Sequence, residues 1–101
     1  MMLDPVLLRL LSRYCQGAGL PVLAEIYAQW ACLAEEVCRV SQGKKRKFDP
    51  ARTIYIMEGD LKRLAAYLRD HQDPTAQEAM RDLQRIRRLY LQILFLMEKQ
   101  Q

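Results

Sequence analysis

Asp70-His71-Gln72-Asp73-Pro74 is a helix stop followed at once by a helix start. Before it, Ile54, Met57, Leu61, Leu64 and Leu68 recur at steps of three and four, the spacing of one helical seam. After it, Ala76, Ala79, Leu83, Ile86, Tyr90, Ile93 and Met97 supply a matching seam. Asp73 can accept hydrogen bonds from the amides of a first turn, and Pro74 has no amide to lose there. His71 sits where a side chain meets the last carbonyls of the preceding helix. A connection this short places its two helices side by side and antiparallel.

The same punctuation recurs upstream. Asp4-Pro5 and Asp49-Pro50 repeat the start signal, and Pro21 follows the break Gly17-Ala18-Gly19. Helices are predicted over about 5–15, 21–41, 50–71 and 74–99, with a basic loop at 42–49. Leucine and alanine dominate, β-branched residues are few and asparagine is absent, a balance that favours helix over sheet. The expected fold is all-α: one four-helix domain over residues 1–101, dominated by the hairpin of the third and fourth helices.

In the first helix, Leu3, Leu7, Leu10 and Tyr14 recur at steps of four, three and four and are assigned to the buried face. Val6 and Leu11 widen that face, and Leu8 points away from it. In the second, Leu23, Ile26, Tyr27, Trp30, Leu33, Ala34 and Val37 form the inward face, with Glu25, Gln29, Glu36 and Arg39 outward. Trp30 is the expected anchor of the core; truncating a buried Trp costs about 3–5 kcal/mol.

Chemistry is hard to find in this pattern. The three cysteines, Cys15, Cys32 and Cys38, are odd in number and lack C-x-x-C spacing, which argues against a disulfide framework or a zinc site. They read as reduced thiols of a cytoplasmic protein. The N-terminus is a poor secretory signal. The apolar stretch 89–97, interrupted by Gln92, is too short to span a bilayer, so a membrane is not an expected partner. His71 is the single histidine, no serine has a nucleophile-elbow setting, and no phosphate-binding loop or Glu-x-x-His motif occurs. Glu58 with Lys62 and Glu35 with Arg39 read as solvated pairs. Cys32 is outward, with nothing nearby in sequence to lower its pKa. The reading is non-enzymatic, with no cofactor and no metal.

The fourth helix changes character along its length. Opposite the seam it carries Arg81, Arg85 and Arg88, then Leu91, Phe95 and Leu96. Its C-terminal half is apolar all round and needs cover on both sides. The favoured cover is a second copy of the chain, with Leu91, Phe95 and Leu96 at a homodimer interface. The first helix, through Leu8 and Leu11, is the intramolecular alternative, and a different protein is the third. Gly59 is either a tolerated exposed glycine or the point where a partner approaches Ile56, Gly59 and Tyr67. The function that follows is a small interaction protein, whether adaptor, inhibitor of a regulator or chaperone, that binds another protein.

Formal net charge is +4, which permits acidic partners without demanding them. Lys44, Lys45, Arg46 and Lys47 form a dense basic run. With Arg52, Arg63 and the Arg81, Arg85, Arg88 face they define the alternative function, a nucleic-acid-binding accessory protein. Against it, Glu78 and Asp82 can neutralise Arg81 and Arg85, Phe48 is the one aromatic beside the loop run, and no helix-turn-helix pattern is clear.

Overall fold

The computed structural model describes residues 4–45 and 49–99, with side chains through Leu96. Leu3, Arg46, Lys47, Phe48 and the side chain of Met97 therefore lie outside the described residues. The described residues form four helices: α1 (Pro5–Gly17), α2 (Pro21–Ser41), α3 (Pro50–Asp70) and α4 (Pro74–Lys99). No strand occurs among the described residues.

The start signals act as capping physics requires. The Asp4 carboxylate accepts from the Val6 amide at 2.9 Å, Asp49 from Ala51 at 2.9 Å and Asp73 from Thr75 at 2.8 Å. The stops of α1 and α2 use one motif. Gly19 and Gly43 adopt φ of 77° and 84°, a region that side-chain-bearing residues avoid. That turn lets the Leu20 amide donate to Cys15 and the Lys44 amide to Arg39, closing the last turns in Schellman fashion. α3 ends differently: the His71 amide donates to the Tyr67 carbonyl, and the two rings stack with centroids 4.4 Å apart.

Cross-helix contacts fix the topology. Asp60 meets Gln29 and Trp30 while Arg63 meets Glu25, so α2 and α3 are antiparallel. Arg87 pairs with Glu58 across the α3–α4 hairpin. Tyr27 lies near Glu78 and Asp82, and Tyr90 donates its hydroxyl to the Leu33 carbonyl at 2.7 Å, so α2 and α4 run parallel. α1 folds back along α2: Ser12 donates to the Ala24 carbonyl, and Arg9 reaches Cys32 and Glu35. The most extensive backbone packing is between α1 and α2. The result is an elongated bundle of 44 × 22 × 22 Å.

The core gathers around α2. Trp30, Leu23, Ile26, Met57, Leu64, Leu83 and Ile86 are its largest fully buried side chains, and Ala24, Ala31 and Ala34 allow close approach. Trp30 is the anchor its position suggests, but it also carries a polar partner: its indole N–H donates to the Asp60 carboxylate at 2.9 Å. On α4 the seam holds from Ala76 to Tyr90, after which Leu94 is buried and Ile93 only half-buried.

Three expectations are overturned. The face of α1 predicted to be buried is the exposed one: Leu8 and Cys15 are buried, while Val6, Leu7, Leu10 and Tyr14 face solvent. The reason is that α1 is apolar on two sides, and the docking of α2 selects the side without the longer stripe. Glu36, expected outward, is buried and held by the Arg39 guanidinium at 3.0 Å. Finally, Glu58 and Glu35 pair across helices with Arg87 and Arg9, rather than along their own helices with Lys62 and Arg39.

Candidate functional site

Among the described residues, exposed apolar side chains gather in two areas, with Tyr55 of α3 standing apart from both. On α1, Val6, Leu7, Leu10 and Tyr14 are 66, 43, 55 and 65% exposed. At 100° per residue they share one side of the helix. Beyond Leu11 and Tyr14 that stripe meets a small cleft bordered by the acids Glu78 and Asp82 of α4. At 100° per residue Arg13 flanks the opposite edge of the stripe, beside Val6. On α4, Phe95 and Leu96 are 58 and 59% exposed, on the side that carries Arg81, Arg85 and Arg88 earlier in the helix. The change of character along this face is therefore present in three dimensions. Leu91 is half-buried against the core. Among the described residues α1 makes no close backbone approach to α4, and it leaves Phe95 and Leu96 exposed.

Two grooves flank α3. One, between α2 and α3, is lined by Gln29, Tyr55, Ile56, Gly59, Asp60 and Arg63. A Cβ on Gly59 would meet nothing within 4 Å, so no part of this chain requires the glycine. Tyr67, predicted beside it, is half-buried and stacked on His71 instead of opening onto this groove. Behind the groove sits buried Asp60. Its carboxylate accepts from Gln29 at 2.8 Å and from Trp30, with Arg63 at 3.7 Å. Burial pushes its carboxyl above the usual range, and the donors and the Arg63 charge only partly offset this.

The other groove lies between α3 and α4. Leu61, Ala65 and Met80 form its apolar part, and Glu58, Lys62, Gln84, Arg87 and Arg88 border it. Arg88 of the predicted basic face thus also borders this groove. Arg85 is engaged with Asp82 at 3.7 Å, and Arg63 with Glu25 at 3.1 Å, so the basic strip is partly neutralised. Lys44, Lys45 and Arg52 are exposed; Arg46 and Lys47 fall outside the described residues.

Among the described residues, no group of His, Cys, Asp and Glu is arranged to hold a metal ion. Cys15 is buried, and burial raises its thiol, with the Asp73 charge adding to the effect. Tyr27 is pushed well above its ordinary value, first by burial and then by Cys15, Asp82 and Glu78. Both changes favour neutral, unreactive forms. Cys32 is exposed and has a neighbour that sequence spacing could not show: the Arg9 guanidinium donates to its sulfur at 3.7 Å. No described helix is long and apolar enough to cross a membrane. In comparisons with known proteins, no family model, no curated protein and no solved structure matches the chain.

Proposed function

We propose that this protein is a non-enzymatic helical interaction module that binds other proteins, and that a second copy of the chain covers the α1 stripe. The observation that carries the reading is the exposure of Val6, Leu7, Leu10 and Tyr14 on a helix whose other side is already packed. A continuous apolar face of this kind is uncommon on a soluble monomer. Leu7, Leu10 and Tyr14 keep the three-four spacing of a helix–helix seam. Charge placement favours self-association. Two copies packed with α1 parallel to α1 about a two-fold axis bring the Arg13 edge of each to the Glu78 edge of the other. Phe95 and Leu96 add apolar area at one end of the molecule. The three free thiols suit a cytoplasmic setting.

The nucleic-acid reading is supported by the aligned, exposed Arg81, Arg85 and Arg88 and by Lys44 and Lys45. It ranks second because part of that charge is already met by Asp82 and Glu25. The test is light scattering on the eluting protein. The wild type is expected at the mass of two chains, and Leu10→Glu with Tyr14→Glu at the mass of one, with helicity retained. A single-chain mass for the wild type at high micromolar concentration would remove the self-association claim.

A further inference from the structure

The groove between α3 and α4 combines three properties. Its floor is apolar, with Leu61, Ala65 and Met80, and a methionine adapts to irregular partners. Its walls are two antiparallel helices, whose ridges leave a channel suited to a third helix. Its rim is basic. Lys62 and Arg88 make no ion pair among the described residues. Arg87 pairs with Glu58, yet its Nε is buried with no hydrogen-bond partner. Leu91, one turn past Arg87, continues the apolar edge toward the end of α4.

We propose that this groove receives an acidic amphipathic helix of a different protein. Its apolar stripe would lie on Leu61, Ala65 and Met80, and its carboxylates would meet Lys62, Arg87 and Arg88. This rests on the protein-binding reading above and names the chemistry of the partner. A second copy of the chain is a poor occupant, because most of its described acids are committed. Asp4, Asp49 and Asp73 cap helices, and Glu25, Glu35, Glu36, Glu58, Asp60 and Asp82 are in ion pairs. Among the residues whose side chains are described, only Asp70 and Glu78 stand outside those roles. Nucleic acid fits less well. A phosphate backbone draws on cations and hydrogen-bond donors and gains nothing from an apolar floor, and no aromatic side chain lines the groove for base stacking.

The probe is a fluorescein-labelled synthetic helix of about 18 residues, roughly 27 Å long. It carries leucines at three-four spacing flanked by glutamates. A twin peptide with glutamines in their place and a short DNA duplex serve as comparisons. The full-length protein is expected to bind the glutamate peptide at least about tenfold more tightly than the glutamine peptide at low salt, with the gap closing as salt rises. Lys62→Glu and Arg88→Glu should each weaken it by about tenfold, and Ala65→Glu should abolish it. Both charge reversals sit at the solvent-facing rim, and far-ultraviolet circular dichroism verifies that each variant is folded. Equal affinity for the two peptides, indifference to both reversals, or displacement of the peptide by the duplex overturns the proposal. If the wild type is dimeric and the glutamate peptide fails to bind, the groove assignment falls and the α1 assignment stands. If the wild type is a monomer that binds the glutamate peptide, the α1 assignment falls and the groove assignment stands.

Discussion

Leu7, Leu10 and Tyr14 on α1 carry the same three-four spacing as Met57, Leu61, Leu64 and Leu68 on α3. The α3 set closes against α2 and α4, with Met57 and Leu64 fully buried, whereas the α1 set faces water. Two identical periodicities thus meet opposite fates. Hydrophobic spacing states that a face gains by being covered, but which element covers it is decided by topology. α3 is held between neighbours on both sides. α1 has one long neighbour, and its other apolar side, Leu8, Leu11 and Cys15, won the contact.

Substitution at matched positions should break or confirm this contrast, and it gives the largest expected effect. Leu64→Ala should lower unfolding free energy by about 2–5 kcal/mol, the range for a buried leucine. Leu10→Ala, measured by urea unfolding where the protein is monomeric, should change it by less than about 0.5 kcal/mol. Equal costs at every dilution would place the α1 stripe in the internal core.

The second test concerns the polar contact under the core. Asp60→Ala leaves the Trp30 indole N–H and the Gln29 amide without their acceptor, and should cost about 1–3 kcal/mol. Asp60→Asn keeps an acceptor oxygen and removes the buried charge, so it should cost less. The pH dependence has a definite sign. The unfolded carboxyl titrates near 3.8 and the folded one higher, so the folded state holds the proton more tightly. The stability contributed by protonated Asp60 is complete below 3.8 and is lost as pH rises through the folded pKa. The stability of Asp60→Asn relative to the wild type should therefore rise from acid to neutral pH in thermal melts. A fall over that range would mean that Arg63, Trp30 and Gln29 stabilise the charged form more than burial penalises it.

What is legible in the chain follows the reach of each interaction. Asp-Pro starts and Gly stops act within a few residues, so the helix limits at Pro5, Pro21, Pro50 and Pro74 can be read directly. The α2 face and the Ala76–Tyr90 seam are legible because one side of each helix is far more apolar than the other. α1 has two comparable sides, and local pattern cannot rank them. The cross-helix pairs, Glu58 with Arg87, Glu35 with Arg9 and Asp60 with Trp30, join residues from 26 to 30 apart in sequence, beyond any helical periodicity. The α3–α4 groove is hidden in the sequence for a related reason. Its floor is supplied by Leu61 and Met80 from different helices, and neither residue is conspicuous alone.

Smaller effects sharpen the local part of the contrast. Asp73→Ala removes the cap that starts α4 and should cost about 1 kcal/mol, read from the denaturant midpoint. Gly59→Ala should stabilise the protein by about 0.5–1 kcal/mol, because the added methyl meets nothing and the helix gains a better former. If Gly59→Ala stabilises the chain but impairs capture of a partner, the α2–α3 groove is a contact surface too.

The central claim is that the second apolar side of α1 is covered by another copy of the chain. Sedimentation equilibrium of the wild type across a micromolar dilution series tests it most directly. A mass corresponding to two chains of 11.9 kDa, falling to one on dilution and in Leu10→Glu, is the predicted result. A mass of one chain throughout, indifferent to substitution at Leu10, would contradict it.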